Sequence, residues 1–314
     1  MLGYMDALAG LLDGPRARGA FLLRTVMEPP WSIRVRDEAP LSLVAMVTGD
    51  AWVLHDDAEP VRLRAGDLAL VKGPDHYTVA DDPATLPQVV IHPDQRCTTP
   101  DGIDTHDAMD LGVRSWGNAT DGSTEMLVGT YRLGGEVSHR LLAALPRLLV
   151  LDHAEAGLVT LLRTEIGKDK PGQEVMLDRL LDLLLIAVLR AWFARPESGA
   201  PGWYAAQTDP VVGRALRLMY DDPARPWTVG SLAAAAGVSR AALARRFHEL
   251  VGEPPMSYLT GWRLALAADL LREPDSTVDA VARRVGYGSG FALSAAFKRV
   301  RGISPQQHRL LAAG

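Results

Sequence analysis

The chain has 314 residues, 47% hydrophobic and 23% charged, with a formal net charge of -5. That length supports two domains with separate cores, and the balance is that of a globular protein. Its single cysteine, Cys97, excludes an intramolecular disulfide framework and any multi-cysteine zinc site. No stretch of about 18 uncharged apolar residues exists to cross a membrane. The start lacks the basic, apolar, small-residue order of a secretion signal, so a cytoplasmic location is expected. Met5 opens a better helical segment than Met1.

The charge is uneven. Residues 210–314 hold 14 basic and eight acidic groups, a formal +6, whereas 1–209 hold 19 basic and 30 acidic, a formal -11. A basic segment joined to an acidic one points to a polyanion partner for the basic part, or to two domains that merely differ in surface composition.

Residues 20–135 read as short strands. Ser42–Val47, Ala51–Leu54, Val61–Arg64, Leu68–Val71, Tyr77–Ala80, Gln88–His92 and Glu125–Leu133 are apolar or alternating runs, with Gly49-Asp50, His55-Asp56-Asp57 and Ala65-Gly66-Asp67 as turns. Such spacing predicts a sandwich or barrel. From Ser138 the period becomes helical, over Val137–Leu145, Ala154–Glu165 and Glu174–Arg195. In the last of these, Glu174, Asp178 and Asp182 form one polar stripe and nearly all the remainder is apolar. That is too apolar for a lone surface helix, so it packs on the sandwich or against a second copy, the latter giving a homodimer through 174–195. Residues 196–209, with two Pro and two Gly, read as a linker, and Trp203 and Tyr204 as docking residues within it.

After Val211–Tyr220, Thr228 caps a short helix Val229–Ala236, Gly237-Val238-Ser239 turns the chain, and Ser239 caps a longer helix Arg240–Val251. This is a helix-turn-helix pattern. Leu232, Val238, Leu243 and Phe247 are its candidate core, while Arg240, Ala244, Arg245 and His248 face outward with Arg246 at the edge. The pattern recurs: Thr277 caps Val278–Val285, Gly286-Tyr287-Gly288 turns, and Ser289 caps Gly290–Arg301, with Leu293 and Phe297 standing 50 residues beyond Leu243 and Phe247. Between the units, Pro254-Pro255 opens a helix over Met256–Arg272. At roughly 25 Å, it is a spacer suited to recognition helices about one DNA turn, or about 34 Å, apart. Ser304-Pro305 starts a final short helix.

These residues carry a resemblance. Thr228-Val-Gly-Ser-Leu-Ala, Gly237-Val-Ser, Leu243-Ala-Arg-Arg-Phe247 and Gly252, then Ala282-Arg-Arg-Val-Gly-Tyr287, Phe297-Lys-Arg, Gly302-Ile-Ser-Pro305 and Arg309, resemble the AraC/XylS family of transcription regulators over about a third of the chain. The resemblance implies an all-α domain that inserts two recognition helices into successive major grooves of double-stranded DNA. Arg245 matches a position that touches base edges, where Arg-to-guanine is the commonest specific pairing. Arg240 lies at the start of the same helix. Ser239, Ser289 and Gly290 offer hydroxyls and helix N-termini to phosphate, and Arg246, Lys298, Arg299 and Arg301 add cationic contacts. The second recognition helix departs from the family at Ala295, with Gly290, Phe291, Ala292 and Ser294 around it. It is expected to anchor on phosphate or touch thymine methyls rather than read bases by hydrogen bonds, and Phe291 stands equally as a core residue.

Gly66-Asp67-Leu-Ala-Leu-Val-Lys-Gly-Pro-Asp-His76 resembles the second half of a cupin motif, and 5–195 resembles the cupin-plus-helices sensor of an AraC-type branch, with Leu141-Leu-Ala-Ala-Leu-Pro146 as a later hallmark. Met46, Trp52 and His76 are the expected effector-pocket residues. Trp52-Val-Leu-His55-Asp-Asp lacks the His-x-His pair of metal-binding cupins, and His55, His76, His92 and His106 form no evident ligand set, so no metal or cofactor is expected. Where relatives that sense oxidants carry a cysteine, this chain has Val128, leaving Cys97 either redox-active or buried and inert.

The expected fold is therefore a two-domain α+β chain: a cupin-like sandwich or barrel with C-terminal helices at 5–195, a linker at 196–209, and an all-α tandem helix-turn-helix domain at 210–314. The expected function is an effector-responsive, sequence-specific DNA-binding regulator, not an enzyme, with RNA polymerase as a further partner. A cupin metalloenzyme fused to a DNA-binding module is the alternative, and a constitutive architectural DNA binder a third reading.

Overall fold

The computed structural model describes residues 21–131, 135–273 and 275–313. The helical segment expected from Met5 and the last two residues of the strand expected at 125–133 lie outside them. The described chain forms two compact units. One holds the residues up to 131 with Leu145–Ser198, and the other holds 135–144 with the residues from 199 onward.

The first unit is a sandwich. Its strands are β1 (Phe21–Met27), β2 (Ser32–Val35), β3 (Leu41–Thr48), β4 (Ala51–His55), β5 (Val61–Leu63), β6 (Leu68–Lys72), β7 (Tyr77–Ala80), β8 (Val89–Ile91), β9 (Cys97–Thr98), β10 (Ser115–Gly117), β11 (Thr124–Tyr131) and β12 (Leu148–Leu151). Among the described residues they pair as β10-β1-β11-β3-β6-β12 and β5-β4-β7-β2-β8-β9. The ladders are antiparallel except β1 with β10 and β2 with β8. Ile33, Val53 and Val79 of one sheet and Val44, Ala69 and Met126 of the other share one core. In β4 the two-residue pleat sends Ala51 and Val53 inward and leaves Trp52 and Leu54 partly exposed. Strands β1, β2, β9, β10 and β12 were not expected; β12 is a short apolar run between two helices.

Helix α1 (His106–Met109) follows β9; α2 (Glu136–Ala143) falls in the second unit; α3 (Ala156–Ile166) and α4 (Gln173–Phe193) complete the first. Seven apolar residues of α4, from Leu177 to Phe193, are buried, and the Tyr131 hydroxyl donates to the Leu181 carbonyl at 2.9 Å. Packing on the sandwich thus accounts for one face of α4. Val175, Met176 and Leu183 remain exposed on it, as does Leu161 on α3.

The second unit adds α5 (Gly202–Ala205), α6 (Val212–Asp221), α7 (Val229–Ala235), α8 (Arg240–Val251), α9 (Pro255–Leu270), α10 (Val278–Arg284), α11 (Gly290–Arg301) and α12 (Pro305–Ala313). Part of the expected linker is therefore helical. Pro201 stands at the cap of α5, where its missing N–H costs nothing, and Trp203 and Ala206 pack into the unit. Two cores lie side by side. Leu216, Leu232, Leu243 and Phe247 build the first with Val137 of α2, and Val281, Leu293 and Phe297 build the second. Helix α9 serves both, giving Tyr258, Leu259, Trp262 and Ala265 to one and Leu264, Ala267 and Ala268 to the other. It is the expected spacer, buried on most sides.

Candidate nucleic-acid interface and interior cavity

Each long helix of the tandem pair starts on a serine. Ser239 Oγ accepts the Ala242 amide and Ser289 Oγ accepts the Ala292 amide, both at 3.2 Å. The hydroxyl protons remain available to an anion. The preceding turns need a left-handed residue, supplied by Gly237 at φ 73° and Gly286 at φ 83°. Helices α8 and α11 then run for 12 residues each, at an offset of 50 in the sequence. Their inward rows are Leu243 with Phe247, and Leu293 with Ala296 and Phe297.

The outward rows differ. On α8, Ala241, Arg245, His248 and Glu249 are exposed at i, i+4, i+7 and i+8, with Arg240 exposed at the N-terminus. Arg245 lies 3.7 Å from Glu249 and stays 76% exposed. On α11, the matching positions are Phe291, Ala295, Lys298 and Arg299, all exposed. Arg240 and Arg245 thus correspond to Gly290 and Ala295.

Three expected DNA contacts are placed otherwise. Gly290 is buried, its amide donates to Asp279 Oδ1 at 2.7 Å, and a Cβ there would lie 2.7 Å from the same oxygen. It is a close-approach residue between α10 and α11. Arg246 holds Asp209 through Nε at 2.9 Å, and the Asp209 carboxylate also accepts the Val211 and Val212 amides at the start of α6. The Arg246 hydrogen bond keeps Asp209 below the usual carboxylate range. Arg301 pairs with Glu136 at 2.8 Å. Phe291, in turn, is not a core residue: it is 85% exposed. Arg309 donates to the Leu271 carbonyl at 3.0 Å and to the Ser276 carbonyl, which gives it a structural place in α12.

Between the two sheets lies a cavity of about 280 Å³. Leu23, Val35, Val44, Val79 and Val128 line its apolar part, and Asp37, Gln95, His106 and Arg114 also border it. None of the three expected pocket residues does. Met46 is buried in the shared core, Trp52 is on the partly exposed face of β4 beneath the Arg62 guanidinium at 5.8 Å, and His76 is exposed in the turn before β7. Strands β3, β7 and β11, which line it, were expected from the sequence, but not which layer of their inward rows stays unfilled. Cys97 does line the cavity, and burial, with Asp104 and Asp94 near, pushes its thiol up to about 11. Burial also raises the Tyr77 phenol and the Asp37 carboxyl.

The four histidines do not converge on one site, although His55 and His76 both lie near Asp56. His92 Nε2 is 2.9 Å from Thr98 Oγ1, His55 packs near Tyr77, and His106 borders the cavity. Among the described residues no three His, Cys, Asp or Glu side chains converge as metal ligands, and no helix is long and apolar enough to cross a membrane.

Residues 6–194 match the cupin family and residues 232–310 match a helix-turn-helix domain family. An AraC-like transcription regulator of Streptomyces lividans is 33% identical over 97% of this chain and 98% of its own length. The transcriptional regulator AlkR of Acinetobacter baylyi is 28% identical over 97% of this chain and 99% of its own. The solved DNA-binding domain of AdpA, in complex with a target DNA, is 35% identical over 33% of this chain and 93% of its own, with a TM-score of 0.32. A tandem helix-turn-helix with serine-capped recognition helices, joined in one chain to a cupin sandwich, places this protein in the AraC family of DNA-binding transcription regulators.

Proposed function

We propose that the chain is an effector-responsive regulator that acts in the cytoplasm as a homodimer and engages DNA asymmetrically. The observation that carries this is the unequal pair of outward rows. Arg240 and Arg245 of α8 stand where α11 has Gly290 and Ala295. In this reading α8 specifies sequence, with Arg245 directed to guanine, while Lys298 and Arg299 of α11 hold phosphates and fix register. Ser239 and Ser289 donate to phosphate from the helix starts.

The apolar cavity between the sheets supports a small, largely apolar effector held in the domain at 5–195. The exposed stripe of Met176, Leu183 and neighbouring Leu161 supports a second copy docking along 174–195. The domain at 210–314 then reaches DNA, with RNA polymerase as a further partner. The chain works by binding rather than catalysis and without a resident metal or cofactor.

Selection of bound sequences from a random duplex pool, followed by titration of the full chain over a salt series, tests the reading. One enriched sequence and a linear loss of log affinity with log salt are expected. Binding with no sequence preference returns the architectural reading. Stoichiometric metal in the purified protein returns the metalloenzyme.

A further inference from the structure

Phe291 is a large apolar side chain, 85% exposed, at the first turn of α11. The opposite face of α11 is completed by Leu293, Ala296 and Phe297, so the helix does not use Phe291 for packing. Its neighbours on the exposed face are Ala295, then Lys298 and Arg299. The cationic pair suits phosphate, and the short Ala295 leaves room for the ring to approach the groove floor beside it. Arg284 of α10 is paired with Glu273 at 3.4 Å, so the cations that suit this exposed face of α11 to DNA are its own Lys298 and Arg299.

A phenyl ring has no donor or acceptor. In the major groove, the apolar group that separates one base pair from the others is the thymine C5-methyl. We infer that Phe291 is the specificity-determining residue of the second unit and that it reads a thymine methyl. The inference rests on the DNA-binding reading and adds to it: α11 contributes one sequence preference, for a T·A step, by apolar contact. The first unit has no aromatic counterpart: Ala241 holds the equivalent position.

The test uses the full chain and the duplex obtained by selection. Uracil replaces thymine, one position at a time, in the half of the site distal to the guanine that Arg245 reads. This removes a methyl group and changes nothing else on the base edge. One position should weaken the wild type roughly fourfold, the worth of burying one methyl. Phe291→Ala should bind the thymine duplex about as weakly and show no further loss with uracil, while Arg245→Ala keeps the methyl dependence. Because the ring is exposed, circular dichroism of Phe291→Ala should match the wild type. Uracil without effect at every position, or methyl dependence surviving in Phe291→Ala, overturns the inference while leaving the DNA-binding reading intact. Failure to enrich any sequence overturns both.

Discussion

Glu136 of α2 and Arg301 in the last turn of α11 form an ion pair at 2.8 Å, and the Arg301 guanidinium also lies 5.3 Å from the Phe297 ring. A cation suited to a DNA phosphate is thereby held on a carboxylate of the same compact unit. Glu136→Gln should release it. The expected result is a few-fold gain in DNA affinity at low salt and a salt slope steeper by about 1, against a stability loss of under about 1 kcal/mol. Burial raises the Glu136 carboxyl, but the Arg301 hydrogen bond and charge outweigh it and leave it below the ordinary value. A depressed carboxylate contributes above its unfolded value of about 4.3 and is lost only as pH falls through the lower folded value. The pair is therefore intact near neutrality. Fluorescence anisotropy over a salt series checks this; an unchanged slope would show that Arg301 stays off the backbone when released.

Arg245 and Ser294 occupy the two recognition helices on unequal terms. Arg245 is 76% exposed with only a weak 3.7 Å partner, whereas Ser294 is half-buried on a helix with no cationic base reader. Arg245→Ala should cost about 1–3 kcal/mol of specific binding, and Ser294→Ala should cost far less. Arg246→Ala, which loosens Asp209 from the start of α6, should lower the melting temperature more than the affinity. Parallel titrations on the selected duplex and a scrambled one decide the matter, and equal losses from Arg245→Ala and Ser294→Ala would refute the asymmetry.

The helical half was legible because its signals are local. Ser239, Ser289, Gly237 and Gly286 mark caps and turns by their own chemistry, and α8 and α11 begin and end at the residues their caps predict. The partnerships of Arg246, Arg301 and Gly290 were not legible. Asp209 lies 37 residues from Arg246, and Glu136 belongs to a segment whose neighbours in sequence are strands. Sequence charge marks a residue as cationic but not as already neutralised. The cavity was hidden for a related reason. Alternation in β4 and β11 separates inward from outward side chains, but Met46 and Val44 share one face of β3 and only Val44 borders the empty layer.

Cys97 borders the cavity with its thiol raised to about 11 by burial and by Asp104 and Asp94. At neutral pH the nucleophilic thiolate is therefore scarce, and oxidation by peroxide-type reagents is slow. Iodoacetamide labelling of the native chain should run far slower at pH 7 than in denaturant, and Cys97→Ser should leave DNA binding unchanged. Rapid labelling of the native protein, or an oxidant effect abolished by Cys97→Ser, would establish the redox role instead.

Asp269 near the end of α9 holds the start of α2, accepting the Glu136 amide at 2.6 Å and the Val137 amide at 3.1 Å. Gly135 at φ 111° brings the chain close enough, since a Cβ there would stand 2.6 Å from the carboxylate. Burial raises the Asp269 carboxyl, and the two amides do not fully offset it. A carboxyl raised in the folded state contributes stability that is complete below its unfolded value of about 3.9 and fades as pH rises through the folded value. Asp269→Asn removes this titration. It also turns an N–H₂ toward one of the two amides, so it forfeits about 0.5–1.5 kcal/mol through that lost bond. Urea unfolding of both proteins should therefore show the wild-type advantage largest in acid and shrinking toward neutrality. An advantage that instead grew from acid toward neutrality would mean that the two amides outweigh burial and hold the Asp269 carboxyl below its ordinary value.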